Sequence, residues 1–111
     1  MESLERQIEY YRTTANRVPY WEWHDSLKNV KTQAIVDVRV ARLRAGNFGS
    51  CKSVGEGVLE LKIDYGPGYR VYLSQIGRRV VLLLTGGDKS SQDIDIREAK
   101  KFWQDYQARY L

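Results

Sequence analysis

Histidine and cysteine are nearly absent: His24 and Cys51 are single copies in a chain of 111 residues. A lone cysteine excludes an internal disulfide, and with one histidine beside it a structural zinc site of the usual Cys/His type is out of reach. One histidine also excludes a two-histidine ribonuclease mechanism. Long apolar runs are missing as well. The longest purely apolar stretch, 80–84, falls far short of the roughly 20 residues needed to cross a bilayer. The chain opens with Glu2 and Glu5 and no apolar stretch follows, which is unlike a secretory signal, so a cytoplasmic protein without membrane contact is expected. No glycine-rich loop has the lysine spacing of a nucleotide-binding P-loop, and neither a metal nor another cofactor is expected.

What the chain does contain is an ordinary globular composition, 42% hydrophobic and 29% charged, at a length that fits a single domain over 1–111. The net charge of +4 is unevenly spread. Residues 1–27 carry three basic and five acidic groups, for a net −2, whereas 28–62 carry seven basic against three acidic, for a net +4. A basic middle points to a polyanionic partner, nucleic acid first, although solvated helix faces give the same count.

The periodicities predict an α+β domain with a mainly antiparallel sheet packed against helices, in the order β-α-α-β-β-β-α. Residues 5–12 suit a first strand. Pro19 opens a short helix with Tyr20, Trp23, His24 and Leu27 on one packing face. Residues 30–45 form a second helix, with Val30, Ala34, Ile35, Val38 and Ala41 expected inward and Gly46-Asn47 as its stop. Cys51 is expected as a small residue entering a strand, with no reactive role. From Val58 the period falls to two. Leu59, Leu61, Ile63 and Tyr65 alternate with Glu60, Lys62 and Asp64, Gly66-Pro67-Gly68 turns the chain, and Tyr69, Val71 and Leu73 alternate with Arg70, Tyr72 and Ser74. The run 80–84 predicts a strand buried on both faces and ended by Gly86-Gly87. Ser90 or Ser91 is expected to cap a last helix with Ile96, Ala99, Phe102, Trp103, Tyr106 and Tyr110 as its apolar stripe.

If the apolar alternates of the hairpin share one core, its polar alternates share the other face, because residues opposed across an antiparallel pair point the same way. Glu60, Lys62, Arg70 and Tyr72 then become neighbours, with Lys89 overlooking them and Lys52 and Arg44 at the margin. A solvated face with ion pairs such as Glu60 with Arg70 would explain the same pattern. As a functional face it suits RNA, which its own 2′-hydroxyl can cleave given a proton acceptor, a charge partner for phosphorus and a proton donor. Arg70 fits the phosphate because its planar fork binds two oxygens and keeps its charge. Lys62 is the candidate base, although a free lysine is neutral only about once in 2,500 molecules at pH 7. Lys89 is the candidate donor, and Tyr72 could stack on a base or donate a hydrogen bond.

Gly46-Asn47-Phe48-Gly49, then 52–72 (KSVGEGVLELKIDYGPGYRVY) and 82–96 (LLLTGGDKSSQDIDI), resemble the HigB-like addiction module killer proteins of the RelE/ParE toxin superfamily. The resemblance implies a bacterial type II toxin of RelE/ParE-like fold. Its implied partner is a small helix-turn-helix antitoxin, through which alone it would meet operator DNA. RelE-like members enter the ribosome and cleave mRNA, making mRNA and the ribosome further partners, whereas ParE-like members poison DNA gyrase; a degenerate toxin that only binds antitoxin is a third reading. By resemblance, Arg70 matches the arginine after Gly-Tyr in the hairpin, Lys62 a basic strand residue, and Lys89 the basic residue beyond the central strand. Glu60 stands where some relatives carry lysine, and 90–96 lack the tyrosine or histidine that many of the nucleases place near the last helix.

Overall fold

Alternation of apolar and polar side chains builds the middle of a five-stranded sheet. The computed structural model describes residues 5–111; the acidic opening of the chain at 1–4 lies outside them. The elements run β1 (Gln7–Tyr10), α1 (Pro19–Ser26), α2 (Val30–Arg44), β2 (Cys51–Gly55), β3 (Val58–Ile63), β4 (Tyr69–Ile76), β5 (Val80–Asp88), a 3-10 turn (Lys89–Ser91) and α3 (Gln92–Tyr110). The strand order is β1-β5-β4-β3-β2, with β1 parallel to β5 and every other pair antiparallel. An α+β fold with a mainly antiparallel sheet is therefore present, with one strand more than the periodicities predict. The added strand, β2, is short and half polar at an edge, and a tight turn with positive φ at Gly55, Glu56 and Gly57 folds it back on β3.

Each face of the sheet has its own core. Leu61, Ile63, Val71, Leu73, Val81 and Leu83 meet Tyr20 from α1 and Val36, Val40 and Leu43 from α2. On the opposite face Val58, Tyr72, Leu82 and Leu84 meet Tyr11 and, from α3, Ala99 and Trp103. Burying such a Val or Leu side chain fully contributes about 1.5–3 kcal/mol. The run 80–84 is thus buried on both faces as predicted, because β5 serves both cores.

Three local expectations change. α2 turns Thr32, Val36, Val40 and Leu43 inward, while Val30 and Val38 face solvent and Ile35 straddles the boundary. Apolar residues lie on nearly every side of this helix, so its period cannot choose a face. Asn29 caps it, accepting a hydrogen bond from the Thr32 amide. Gly86 and Gly87 do not end β5, which continues to Asp88. They sit inside it because Trp23 packs against Gly86 and the Asp95 carboxylate packs against Gly87, leaving no room for a Cβ at either. Ser91 occupies the N-cap of α3 without capping it. Its hydroxyl turns to Asp95 instead, and Asp88 accepts from the Ser90 amide at the 3-10 turn.

The end of α3 is pinned to the end of β1. The Tyr11 hydroxyl donates to Asp105 at 2.6 Å, its ring stacks on Phe102, and Arg109 reaches both Asp105 and the Arg12 carbonyl. Among the described residues no helix is long and apolar enough to cross a membrane.

Candidate functional site

Strand register brings the predicted residues onto one face. Lys62 lies directly opposite Arg70, and Glu60 directly opposite Tyr72; on the other side of β3, Lys52 pairs with Glu60. Two rows result: Lys52, Glu60 and Tyr72 across three strands, and Lys62, Arg70 and Gly87 across β3, β4 and β5. The inference of a shared face from alternation holds.

The face is not open, however. α3 crosses it and divides the group. Glu60, Arg70 and Tyr72 are only 1%, 6% and 0% exposed. Lys52 and Lys62 project past the helix, with side chains 70% and 50% exposed. They line a recess of about 270 Å³ with Gly49, Ser50, Cys51 and the edge of Glu60. Sequence period shows which face a strand residue takes but not whether a distant helix covers it, so the expected open floor is corrected to two exposed lysines over a buried core of polar groups.

That core is centred on Glu60. Its carboxylate accepts from Gln92 at 2.8 Å and from the Tyr72 hydroxyl at 3.1 Å. Arg70 Nε stands 3.9 Å from Glu60 Oε2, and Lys52 Nζ 3.9 Å from Oε1. A buried carboxylate costs several kcal/mol unless so compensated. Burial raises the Tyr72 phenol above its ordinary range, and the nearby Glu60 charge raises it further. Fully buried and acting as a donor, Tyr72 has no face left for base stacking, which corrects that expectation.

Arg70 donates through Nη1 to the Gly68 carbonyl at 2.6 Å, and its buried Nε has no hydrogen-bond partner. Its fork is turned back along the hairpin and away from solvent, so the expectation of an exposed phosphate clamp is corrected as well. The backbone there needs Gly68, whose φ is +79 and whose missing Cβ makes room for Nη1.

Lys89 and Arg44 stand apart from the recess. Lys89 is exposed in the 3-10 turn, where it lines a separate hollow with Gln92, Asp93 and Arg97. Arg44 ends α2 and lines another hollow with Gln7 and Arg79 beside β1. Two groups escaped sequence reasoning. Gln92 belongs to no periodic pattern, and only its bond to Glu60 reveals it. Asp95, whose carboxyl burial pushes above its ordinary range, had one signal, the glycine at 87 that its approach requires. Burial also raises the Cys51 thiol, against the lowering pull of Arg39, in keeping with an unreactive strand residue.

Lys52, Lys62 and Arg70 against Glu60 and Asp64, whose carboxylate lies 3.6 Å from Lys62 Nζ, leave this region with a net charge of +1. Two exposed ammonium groups above a buried carboxylate can hold a phosphate while the carboxylate limits how deep it enters.

No family model matches the chain. It is 51% identical over 83 residues to an uncharacterized protein of Haemophilus influenzae, covering 75% of this chain and 84% of that one.

Proposed function

For a chain that belongs to the same family as the uncharacterized Haemophilus influenzae protein, we propose the role of a cytoplasmic type II toxin of RelE/ParE-like fold that binds RNA backbone and cleaves mRNA on the ribosome. The observation that carries this reading is the pair of exposed lysines, Lys52 and Lys62, flanking one recess in a basic segment of the chain. In it the Lys52 ammonium holds the phosphodiester, and Lys62 acts as the base that takes the 2′-hydroxyl proton while the 2′-oxygen bonds to phosphorus and the 5′-oxygen leaves with a proton from water. Arg70 acts from behind, balancing Glu60 and adding positive potential to the recess without touching the phosphate. Lys89, on its own hollow, contacts a neighbouring stretch of backbone. A helix-turn-helix antitoxin neutralises the protein in this reading.

The test is to incubate the purified chain with programmed ribosomes and map mRNA ends. Cuts that vanish with Lys52→Ala/Lys62→Ala while the fold persists support it, and intact mRNA sinks it. The burial of Arg70 and Tyr72 favours a second reading, a ParE-like gyrase poison, which needs no catalytic side chains. Gyrase inhibition with intact mRNA would select it.

A further inference from the structure

The outer side of α2 carries apolar residues that the fold does not use. Val30 and Val38 are 80% and 51% exposed. With Ala34 they form a row one helical turn apart, running about 12 Å along the helix. Lys31, Ala34, Ile35, Val38, Arg39 and Arg42 line a shallow recess of about 360 Å³ along this row. It shares no lining residue with the Lys52/Lys62 recess.

The three cations around that row have no carboxylate within ion-pair distance among the described residues. The single acid of α2, Asp37, is turned to His24, whose Nε2 lies 2.8 Å away. Lys31 stands in the first turn of the helix, where a positive charge opposes the helix dipole, so it is not there for helix stability. Arg39 is held in place, its guanidinium lying against Gly49, where a Cβ would come within 2.5 Å of Nη2.

We propose that this ridge is a docking surface for an acidic amphipathic helix of a partner protein, whose apolar side chains cover Val30, Ala34 and Val38 and whose carboxylates pair with Lys31, Arg39 and Arg42. The chemistry separates this occupant from two others. A nucleic acid would set phosphates against valine and alanine, and α2 offers no aromatic ring for a base. A second copy of the chain docked through the same ridge would oppose three cations to three cations. Arg39 touches Gly49 at the edge of the RNA recess, but Val30, Lys31, Ala34 and Val38 are not among that recess's lining residues, so substitution at Val38 lets either proposal fail alone.

The experiment uses the full chain, 15N-labelled and followed by NMR. The first probe is a synthetic helix of about 15 residues with leucines at one-turn spacing flanked by glutamates. The others are the same peptide with each glutamate replaced by glutamine, and an oligouridylate. The expected result is saturable shifts confined to residues 30–42 with the acidic peptide, weakened about tenfold by the glutamine exchange, as three exposed ion pairs would give. Arg39→Glu/Arg42→Glu should weaken the acidic peptide by at least as much. Should that variant lose its fold, Val38→Asp at a half-exposed position must abolish the same shifts. Equal binding of the glutamine peptide, shifts centred elsewhere, the same shifts from oligouridylate at similar affinity, or self-association through the ridge would each overturn the proposal.

Discussion

Lys62 and Arg70 face each other across β3 and β4 as a direct register pair, yet the first reaches solvent and the second is buried against Glu60 and the Gly68 carbonyl. Adjacent cations on one sheet face therefore have different physical jobs, and substitution should separate them.

Arg70→Ala leaves Glu60 buried with its nearest internal cation gone. Removing one partner of a buried pair costs about 3–5 kcal/mol, so the variant should unfold at distinctly lower denaturant. Any loss of activity would then be partly loss of fold. A denaturation midpoint equal to wild type would show that Arg70 adds nothing to the buried core.

Lys52→Ala and Lys62→Ala remove exposed side chains and should shift stability by no more than about 0.5 kcal/mol each. If they hold single-stranded RNA phosphates, each should also reduce the slope of log affinity against log salt by about 0.7. Fluorescence anisotropy of a labelled oligonucleotide over a salt series reads this directly. An unchanged slope in the double variant would remove both lysines from the interface.

Gly86→Ala tests packing without backbone strain, since Gly86 has no positive φ while Trp23 occupies the space of its Cβ. Overpacking of this kind costs about 1–3 kcal/mol. Gly77→Ala is the converse, with nothing within 4 Å of its Cβ but a φ of +60, and should cost about 1–2 kcal/mol by strain alone. Adding Trp23→Ala should restore tolerance of alanine at 86 and leave the penalty at 77 untouched; equal rescue at both would refute the distinction.

The clasp between Tyr11 and α3 should respond to acid. The Tyr11 hydroxyl first, and then Arg109, hold the Asp105 carboxyl below the ordinary carboxylate range. With the folded value below the unfolded one, the stabilisation is complete above about pH 4 and is lost as pH falls through the folded value. Tyr11 titrates in the opposite sense, pushed up to about 12 by burial and by Asp105, so its contribution is complete below about pH 10 and lost as pH rises through 12. Asp105→Asn should narrow the stability gap to wild type steadily on acidification, measured by circular dichroism in urea. A gap independent of pH would mean that the charge of Asp105 does not matter.

The sequence by itself determined the alternating hairpin, the strand buried on both faces, the stripe of α3 from Ile96 to Tyr106, though not its last member Tyr110, which is exposed, and the common side of Lys62 and Arg70. Each follows from a period of 2.0 or 3.6 residues, which is a local property of the chain. Tertiary structure alone decided that α3 covers Glu60 and Tyr72 and that Arg70 is buried, that α2 buries Val36 and Val40 and leaves Val38 outside, and that Gly86 and Gly87 lie inside β5. Those outcomes depend on which distant surface arrives, Trp23 and Asp95 at the glycines and Gln92 at Glu60. No local pattern encodes the partner that a face will meet, so a face of predicted cations became a buried polar core with two lysines at its rim.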